Sequence, residues 1–502
     1  MNSRRQRRFP TQSALVMILG LFLAGLGVAK AQAQSSGESR WGELTLEGSS
    51  EVTDLLPPSE LSGNPIQAED LDRYVRELLV ELSELGYPFA EILPRDFDVS
   101  EGRVTGTLKI ELGARPTLTG IVLKGAAVTK PNTVMRLGGV KKGELFRGSM
   151  LQTTREKLLR SGLFQTVGEL TLEPGPSQNE VVFSAEAVEP AYTRFAGVLG
   201  VGGPDSKLTG LLRLELLNIA GTAREGSAHW ENQGQGITRF SLSYREPWLP
   251  ILPVGVSGAL RNDVNEGVYS YTNWELRGDL SAGSSWRFGL GWGGARAVNT
   301  GSSTQNERES FVLATAVYDG RNSFFVPTQG ARLRLESRRG DKTRELGSGA
   351  EETLDRTRWK LDLEGYQPLG EKLVLAAESA FEFLDTPEDS LPRYDQFAIG
   401  GASTLRGYRE EQFLTSGALT LALELRWLQD AKGSALYGFI DQGWISSGST
   451  AAERDNLDRY LLGLGVGLRQ ASPVGLLGVE YGIPKGSSPL DGRIHFRLDA
   501  FF

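Results

Sequence analysis

The sequence predicts two small α+β modules followed by an all-β transmembrane barrel of sixteen antiparallel strands. Helical periodicity is confined to the residues before about 190. Beyond that point apolar and polar residues alternate with a period of two, in segments of about ten residues. The longest gaps between these segments follow segments of one parity, as in barrels that have long loops on one rim and short turns on the other.

Residues 1–33 are predicted to be a secretory signal peptide. A head with four arginines precedes an apolar run over 14–28, and the small residues at 29–33 fit a cleavage site. A membrane anchor is the alternative, but the run of about 15 residues is shorter than the ~20 that a spanning helix needs. We therefore expect the mature chain to be exported.

Composition excludes several kinds of chemistry. The chain has no cysteine and only two histidines, His229 and His495, which excludes disulfides, thiolate sites and multi-histidine metal centres. Neither histidine lies beside a recognisable nucleophile motif, so we expect no enzyme activity, no cofactor and no metal. The net charge of −8 disfavours nucleic acid as a partner, because binding phosphates requires a basic field.

The first module is predicted over 41–115. Its clearest element is a helix over 68–85, in which leucine and valine recur every three or four residues and form one apolar face. Gly86 is suited to the left-handed conformation just past the helix end. A strand pair, 98–100 with 103–112, then completes the module.

The second module, predicted over 116–190, repeats this order. Its strand, two helices and final strand pair are expected at 118–123, 130–137, 147–160, 166–172 and 180–188. One interpretation is a pair of ordinary α+β modules of unknown use. The phrases at 118–125 and 159–164, however, resemble the polypeptide-transport-associated (POTRA) repeats that precede certain outer-membrane barrels.

The barrel is predicted over 191–502. Its strands are expected to begin near 192, 207, 222, 236, 253, 269, 285, 308, 328, 355, 371, 415, 434, 459, 473 and 492. The long connections, 297–308, 340–355, 386–414 and 446–459, follow segments seven, nine, eleven and thirteen. A soluble β-sandwich also alternates, but it has no reason to sort its loop lengths by parity.

The chain ends inside the last predicted strand with an aromatic residue, Phe502. Alternation directs Phe502 toward lipid, and outer-membrane barrels commonly end in this way. We therefore predict that Phe502 belongs to a terminal recognition signal for insertion of the protein itself.

Four passages of the barrel resemble the BamA/TamA-like outer-membrane assembly factors and their two-partner-secretion relatives. They are 318–322 with 327–330, 399–408, 424–426 and 439–443. The second passage is the most specific, because its Gly-Gly and later Arg-Gly-Tyr occur in the loop after strand eleven, as in the family. Together with the modules, these passages extend the resemblance over nearly the whole mature chain.

The resemblance implies a latch between that loop and the barrel wall. Arg406, followed by Gly407 and Tyr408, would fold inward and pair with Asp441, with Glu424 as a second acceptor. Alternation independently directs Glu424 on strand twelve and Asp441 on strand thirteen into the lumen. The alternative is an exposed arginine in a flexible outer loop.

The resemblance further implies an assembly factor in the outer membrane, with its modules in the periplasm. Its partners would be unfolded outer-membrane or secreted polypeptides, membrane lipid and periplasmic accessory proteins. Gly197 and Gly200 in strand one would weaken a lateral seam, or serve ordinary barrel packing. A two-partner-secretion transporter is the main alternative, although 34–40 leave little room for its plug helix; a passive porin is a lesser one.

Overall fold

The computed structural model describes residues 39–499 except 68, 178, 203–206, 235, 250–251, 253, 284, 301–303, 347, 389, 431–432, 447–456 and 473–474. The predicted signal peptide and Phe502 lie outside the described residues. The chain forms two compact units. One contains the described residues up to Val122 with Gly139–Thr154 and Glu169–Ala185, and the other contains Leu123–Gly138, Arg155–Gly168 and all residues from Glu186 onward.

The first module is a three-stranded sheet with two helices. Its elements are β1 (Arg40–Glu47), α1 (Ser50–Thr53), α2 (Asp70–Glu84), β2 (Glu91–Ser100) and β3 (Arg103–Glu111). The order is β1-β3-β2, with β1 parallel to β3. The predicted apolar face of α2 is buried, with Leu78 and Leu82 fully inaccessible, and Gly86 has a φ of 98°. The predicted strand at 98–100 begins seven residues earlier, because its polar residues pair equally well along the backbone.

The second module follows the predicted element order with one correction. Its elements are β4 (Thr117–Lys124), α3 (Pro131–Gly138), α4 (Ser149–Arg160), β5 (Thr166–Val167), β6 (Thr171–Pro174) and β7 (Glu180–Val188). The predicted strand at 166–172 is two short strands, because the chain leaves the ladder at Gly168 and returns to β7 at Thr171. The boundary between the two compact units passes through this module.

A sixteen-stranded antiparallel sheet forms the barrel. Its strands are β8 (Thr193–Gly202), β9 (Lys207–Ile219), β10 (Arg224–Gly234), β11 (Ile237–Glu246), β12 (Val254–Asn265), β13 (Tyr269–Ala282), β14 (Trp286–Asn299), β15 (Thr304–Asp319), β16 (Gly330–Leu346), β17 (Glu351–Pro368), β18 (Leu373–Asp385), β21 (Gly417–Leu428), β22 (Ala435–Ile445), β23 (Arg459–Ser472), β24 (Gly475–Pro484) and β25 (Arg493–Asp499). Two further short strands, β19 (Phe397–Ile399) and β20 (Phe413–Thr415), pair within the connection between β18 and β21. The predicted fold class is confirmed, and every barrel strand begins within four residues of its predicted start.

Two of the four predicted long connections are wrong. Strands β14 and β15 remain paired into both ends of the predicted loop at 297–308, as far as Val298 and Asn306, and β16 and β17 remain paired through most of 340–355. Both faces of these extensions are polar, so the alternation that marks a lipid-facing strand disappears there. The backbone ladder needs only N–H and C=O groups, and it continues regardless. The connections 386–416 and 446–458 are long, as predicted.

The outer face of the barrel is apolar. Along β14, Trp286, Phe288, Leu290 and Trp292 are exposed, whereas Gly289 between them points inward. The rings of Trp286 and Phe288 stack with their centroids 5.6 Å apart. Such an outward band with aromatic residues is what a barrel presents to lipid.

No helix among the described residues is long and apolar enough to cross a membrane.

Candidate functional site

The connection between β18 and β21, residues 386–416, folds against inward-facing side chains of the barrel; we call it the lumen loop. Its first short strand, β19, is followed by two glycines with positive φ, Gly400 at 121° and Gly401 at 100°. Leu405 is fully buried in an apolar cluster with Ile399 and Ile445. The sharp turn and this small core together direct the next residue, Arg406, into the barrel wall.

Arg406 binds Asp441 in a bidentate manner. Its Nε donates to Asp441 Oδ2 at 2.7 Å, and its Nη2 donates to Oδ1 at 2.6 Å. The backbone N–H of Arg406 also donates to Oδ2, at 2.9 Å. Asp441 lies on β22, the thirteenth barrel strand, and the two residues are 3% and 1% exposed. Such a fork-to-fork pair fixes direction as well as distance.

Two more carboxylates complete what we call the Arg406 cluster. Arg406 Nη1 donates to Glu424 Oε1 on β21 at 2.6 Å and to Glu480 Oε1 on β24 at 3.1 Å. The second oxygen of Glu424 accepts from Arg426 Nε at 2.6 Å. Tyr437 donates its hydroxyl to Glu480 at 2.7 Å. Every residue of the cluster is at least nine-tenths buried, so the charges are paired with each other rather than with solvent.

An aromatic ring supports the guanidinium from its flat side. Arg406 Cζ lies 3.7 Å from the ring centroid of Phe439, which is on β22 two residues before Asp441. The ring leaves the in-plane N–H groups free to donate to the carboxylates. A planar cation on an aromatic face is favourable, by about 2 kcal/mol or more where water is excluded.

The two residues after Arg406 bind neighbouring strands. Gly407 donates its N–H to His495 Nε2 on β25 at 3.0 Å, so this histidine nitrogen acts as an acceptor. Tyr408 donates its hydroxyl to the carbonyl of Leu462 on β23 at 3.3 Å, and its ring packs edge-on against Phe413. The Arg-Gly-Tyr motif therefore contacts all of the last five barrel strands, β21–β25.

Glycines in the wall make room for this close approach. A Cβ on Gly482 would lie 2.6 Å from the backbone nitrogen of Gly407, and a Cβ on Gly463 would collide with the carbonyl oxygen of Arg406. Gly407 itself has a φ of 94°, which strains any residue with a side chain. The loop backbone thus lies directly on the backbone of β23 and β24.

Sequence reasoning named Arg406, Gly407, Tyr408, Glu424 and Asp441, and the structure brings all five together. It missed Glu480, His495 and Phe439. Glu480 is the only charged residue of β24, which was a usable signal because alternation places it in the lumen. The predicted terminal signal, Phe502, lies outside the described residues. His229 faces inward on β10, 3.7 Å from Glu231, far along the sheet from this cluster.

The passage 318–330 forms a fixed turn on the opposite, short-turn rim. Arg321 is 7% exposed and donates to both oxygens of Asp319, at 3.0 and 2.8 Å, and to Glu364 at 2.8 Å. Asn322 accepts from the N–H groups of Thr328 and Gln329. These contacts close the turn on itself, so its role in the described structure is to shape the rim.

At the short-turn rim, hydrogen bonds also join Glu189 and Asn218 to the segment before α3. The Glu189 carboxylate accepts from the N–H groups of Ala127, Val128 and Thr129 and from the Thr129 hydroxyl, at 2.5–2.9 Å. Burial would raise the pKa of Glu189, but these hydrogen bonds outweigh it and hold that pKa below its usual value. Asn218, at the end of β9, donates to the Thr129 oxygen at 2.7 Å.

Chemically, the Arg406 cluster is suited to holding a loop in place. The described residues contain no group of three or more potential metal ligands. Each of the cluster's buried groups has a protein partner through at least one atom. The arrangement therefore determines where the lumen loop lies.

Comparisons with known proteins agree on one family. Residues 218–502, more than half of the chain, match the Omp85 superfamily domain. Outer membrane protein assembly factor BamA of Nitratidesulfovibrio vulgaris is 23% identical over 466 residues, which cover 84% of this chain and 56% of that protein. The chain therefore spans little more than half the length of this relative.

Two solved structures share the fold. BamA from Haemophilus ducreyi lacking POTRA domains 1–3 has a TM-score of 0.51 at 17% identity, covering 91% of this chain and 98% of that one. CdiB from Escherichia coli has a TM-score of 0.50 at 14% identity, covering 98% and 99%.

Proposed function

The chain belongs to the Omp85 superfamily, and from this premise we propose that it is an outer-membrane factor that receives unfolded polypeptides and inserts them into the membrane at the side of its barrel. The clients would be other outer-membrane proteins. The similarity to an outer membrane protein assembly factor supports this role.

The position of the lumen loop carries the proposal. Arg406 and its three carboxylate partners are at least 95% buried, and the loop backbone is in contact with the wall. A polypeptide that passed through the lumen would have to separate these charges, which is costly because each would be left unpaired in a poorly solvated place. Insertion at the seam between β8 and β25, the two ends of the sheet order, leaves the cluster intact.

The two α+β modules would receive the clients in the periplasm. Both sheets have edge strands, β1 and β2 in the first and β4 in the second. An extended client can add to such an edge through main-chain hydrogen bonds, without a specific sequence. We also propose that the protein catalyses no covalent reaction and needs neither cofactor nor nucleic acid, since its site is built for fixing a loop.

Reconstitution of the full mature chain in liposomes tests the proposal. An unfolded outer-membrane protein is added outside, and its conversion to a protease-resistant, membrane-inserted form is timed. Liposomes without protein, and liposomes with an equal amount of a porin, are the controls. We expect faster insertion only with this protein. Equal rates in all three preparations would contradict the proposal.

A two-partner-secretion transporter is the second candidate, and the fold shared with CdiB is the observation that favours it. The same liposomes separate the two roles. Export predicts that a secreted client appears as soluble polypeptide on the far side of the bilayer. Ion conduction alone, with no effect on any polypeptide, would instead identify a pore.

A further inference from the structure

The lumen loop is bound to the barrel at two places besides the Arg406 cluster. We propose that it is a crossbar fixed to three sectors of the wall, so that releasing Arg406 alone does not open the lumen. This inference goes beyond the proposed function, because it concerns the closed state of the barrel whatever polypeptide is handled.

The second attachment, which we call the Asp395 cluster, joins the loop to β15, β16 and β17. Lys342 Nζ lies 2.7 Å from Glu307, 3.0 Å from Glu388 and 3.0 Å from Asp395. Arg356 Nη2 lies 3.0 Å from the other oxygen of Asp395. Lys342, Asp395 and Glu388 are no more than 2% exposed.

Tyr394 extends this attachment to a further strand. Its hydroxyl donates to Glu307 at 2.6 Å, and its ring stacks on Tyr271 of β13 with the centroids 4.8 Å apart. Arg358 donates to the backbone carbonyl of Asp395 at 2.8 Å. The loop segment 394–395 is therefore held by its backbone, by a ring and by two carboxylate oxygens.

The third attachment is the Arg239–Glu411 pair. Both terminal nitrogens of Arg239, on β11, donate to Glu411, at 2.9 and 3.1 Å. Glu411 has a φ of 51°, so the backbone turns sharply where this contact forms. Arg393 lies 3.4 Å from the same carboxylate and links this pair to the segment beside Asp395.

The three attachments lie in different sectors of the ring. Counting from β8, Arg239 is on the fourth strand, Lys342 on the ninth, and Glu424 and Asp441 on the twelfth and thirteenth. The fourth and twelfth strands are half a circumference apart in a ring of sixteen. Only four residues lie between Arg406 and Glu411, and the five steps from one to the other span about 18 Å at most. The long side chains of Arg406 and Arg239 extend this reach at both ends, so the segment links opposite sectors of the wall across the lumen.

Each attachment has its own charged partners and can therefore hold independently. The Asp395 cluster contains two cations and three carboxylates, all buried, and none of them contacts the Arg406 cluster. Losing Arg406 removes no partner from it. If the Arg406 cluster were the only attachment, the loop would leave the lumen when that cluster is broken. A loop with three attachments stays in place until several of them are broken.

Ion conductance of the purified protein in planar bilayers tests this. We expect Arg406→Ala, Asp395→Asn and Glu411→Gln, each alone, to stay within about twofold of the wild type, because a sixteen-stranded lumen remains obstructed. The triple variant should conduct at least about fivefold more, since the lumen then becomes an open aqueous channel. Glu351→Gln is the matched control, since Glu351 is exposed on the same rim and makes no charge contact among the described residues.

The third pair, Arg239–Glu411, is only partly buried and keeps the test usable if the triple variant fails to fold. Arg406→Ala with Glu411→Gln should conduct more than either single variant, while the buried Asp395 cluster is intact. The swap Arg239→Glu with Glu411→Arg, placed in the Arg406→Ala background, should lower the conductance again. If Arg406→Ala alone conducts as much as the triple or double variant, the Arg406 cluster alone holds the loop in the lumen, and the proposed crossbar is wrong.

Discussion

At the scale of single residues, Arg406 uses its whole side chain. Nε, Nη1 and Nη2 each reach a carboxylate, and the flat face lies on Phe439. A lysine offers one point charge and no plane, so Arg406→Lys should behave almost like Arg406→Ala. We expect both to lose about 3–5 kcal/mol of docking free energy at this cluster, the usual cost of breaking a buried ion pair. Trypsin cleavage after the exposed Arg409 of the folded barrel measures the loosening of the loop at this point.

The complementary experiment restores the pair. Arg406→Asp with Asp441→Arg should recover part of the docking if charge dominates, but not all, because Glu424 and Glu480 would then face a carboxylate. Cysteines at 406 and 441 should form a disulfide under oxidation, and the chain has no native cysteine to interfere. If this crosslink does not form, and if Arg406→Ala resists trypsin as well as the wild type does, the inward position of Arg406 is contradicted.

A glycine in the wall provides a test that leaves every charge in place. In Gly482→Ala the new methyl group would meet the backbone of Gly407 at 2.6 Å, so the loop must shift away from β24. We expect faster trypsin cleavage after Arg409 and an unchanged barrel. Gly438→Ala is the matched control, because its methyl group meets only one atom, at 4.0 Å. Equal cleavage rates in the two variants would show that the loop is not in contact with β24.

Glu189 leads to a prediction about pH. Its pKa is held below the usual value by hydrogen bonds that outweigh burial. The stability it contributes is therefore complete above the unfolded-state pKa of about 4.3 and is lost as the pH falls below that value. Glu189→Gln should lower stability by about 1–2 kcal/mol at pH 7 and flatten the acid limb of the pH profile. Melting curves between pH 3 and 7 measure this, and identical acid limbs would contradict it.

At the scale of elements, the barrel could be predicted strand by strand because alternation records which side chains face lipid. The same signal failed at 297–308 and 340–355, where polar residues lie on the inner and the outer face alike and the pattern no longer distinguishes strand from loop. That error also concealed the Asp395 cluster, since Lys342 lies in the supposed loop and Arg356 directly follows it. The Arg406 cluster was found because its motif and its alternating acids were visible within ordinary strands.

The terminal strand carries a prediction that the described residues leave open. If Phe502 faces lipid and displays the insertion signal, Phe502→Asp should lower the amount of this protein in the outer membrane severalfold. Phe496→Asp is an informative companion, because Phe496 is 77% exposed on the outer face of β25. Normal membrane levels of Phe502→Asp, with reduced levels of Phe496→Asp, would show that the strand matters but its last residue does not.

At the scale of the whole molecule, two long connections belong to the long-loop rim. Residues 386–416 are bound to the wall in three sectors, whereas 447–456 of the second connection lie outside the described residues. The hairpin of β16 and β17 extends the wall with strands of seventeen and eighteen residues. Of the four connections predicted to be long, 297–308 and 340–355 are shortened by strand pairing and 386–416 is bound to the wall, so we expect a protease to attack at 446–458.

Protease added to intact cells tests this arrangement together with the proposed orientation. If the long-loop rim faces outward, cleavage should map to 446–458 and should spare 41–190, which would lie in the periplasm. The predicted loops at 297–308 and 340–355 should now resist, because their backbones are paired. Opening the outer membrane should then expose the modules, beginning with the exposed lysines at 141–142, just after α3. Cleavage within α2 in sealed cells would reverse the orientation, since that helix could only be reached if the modules faced outward.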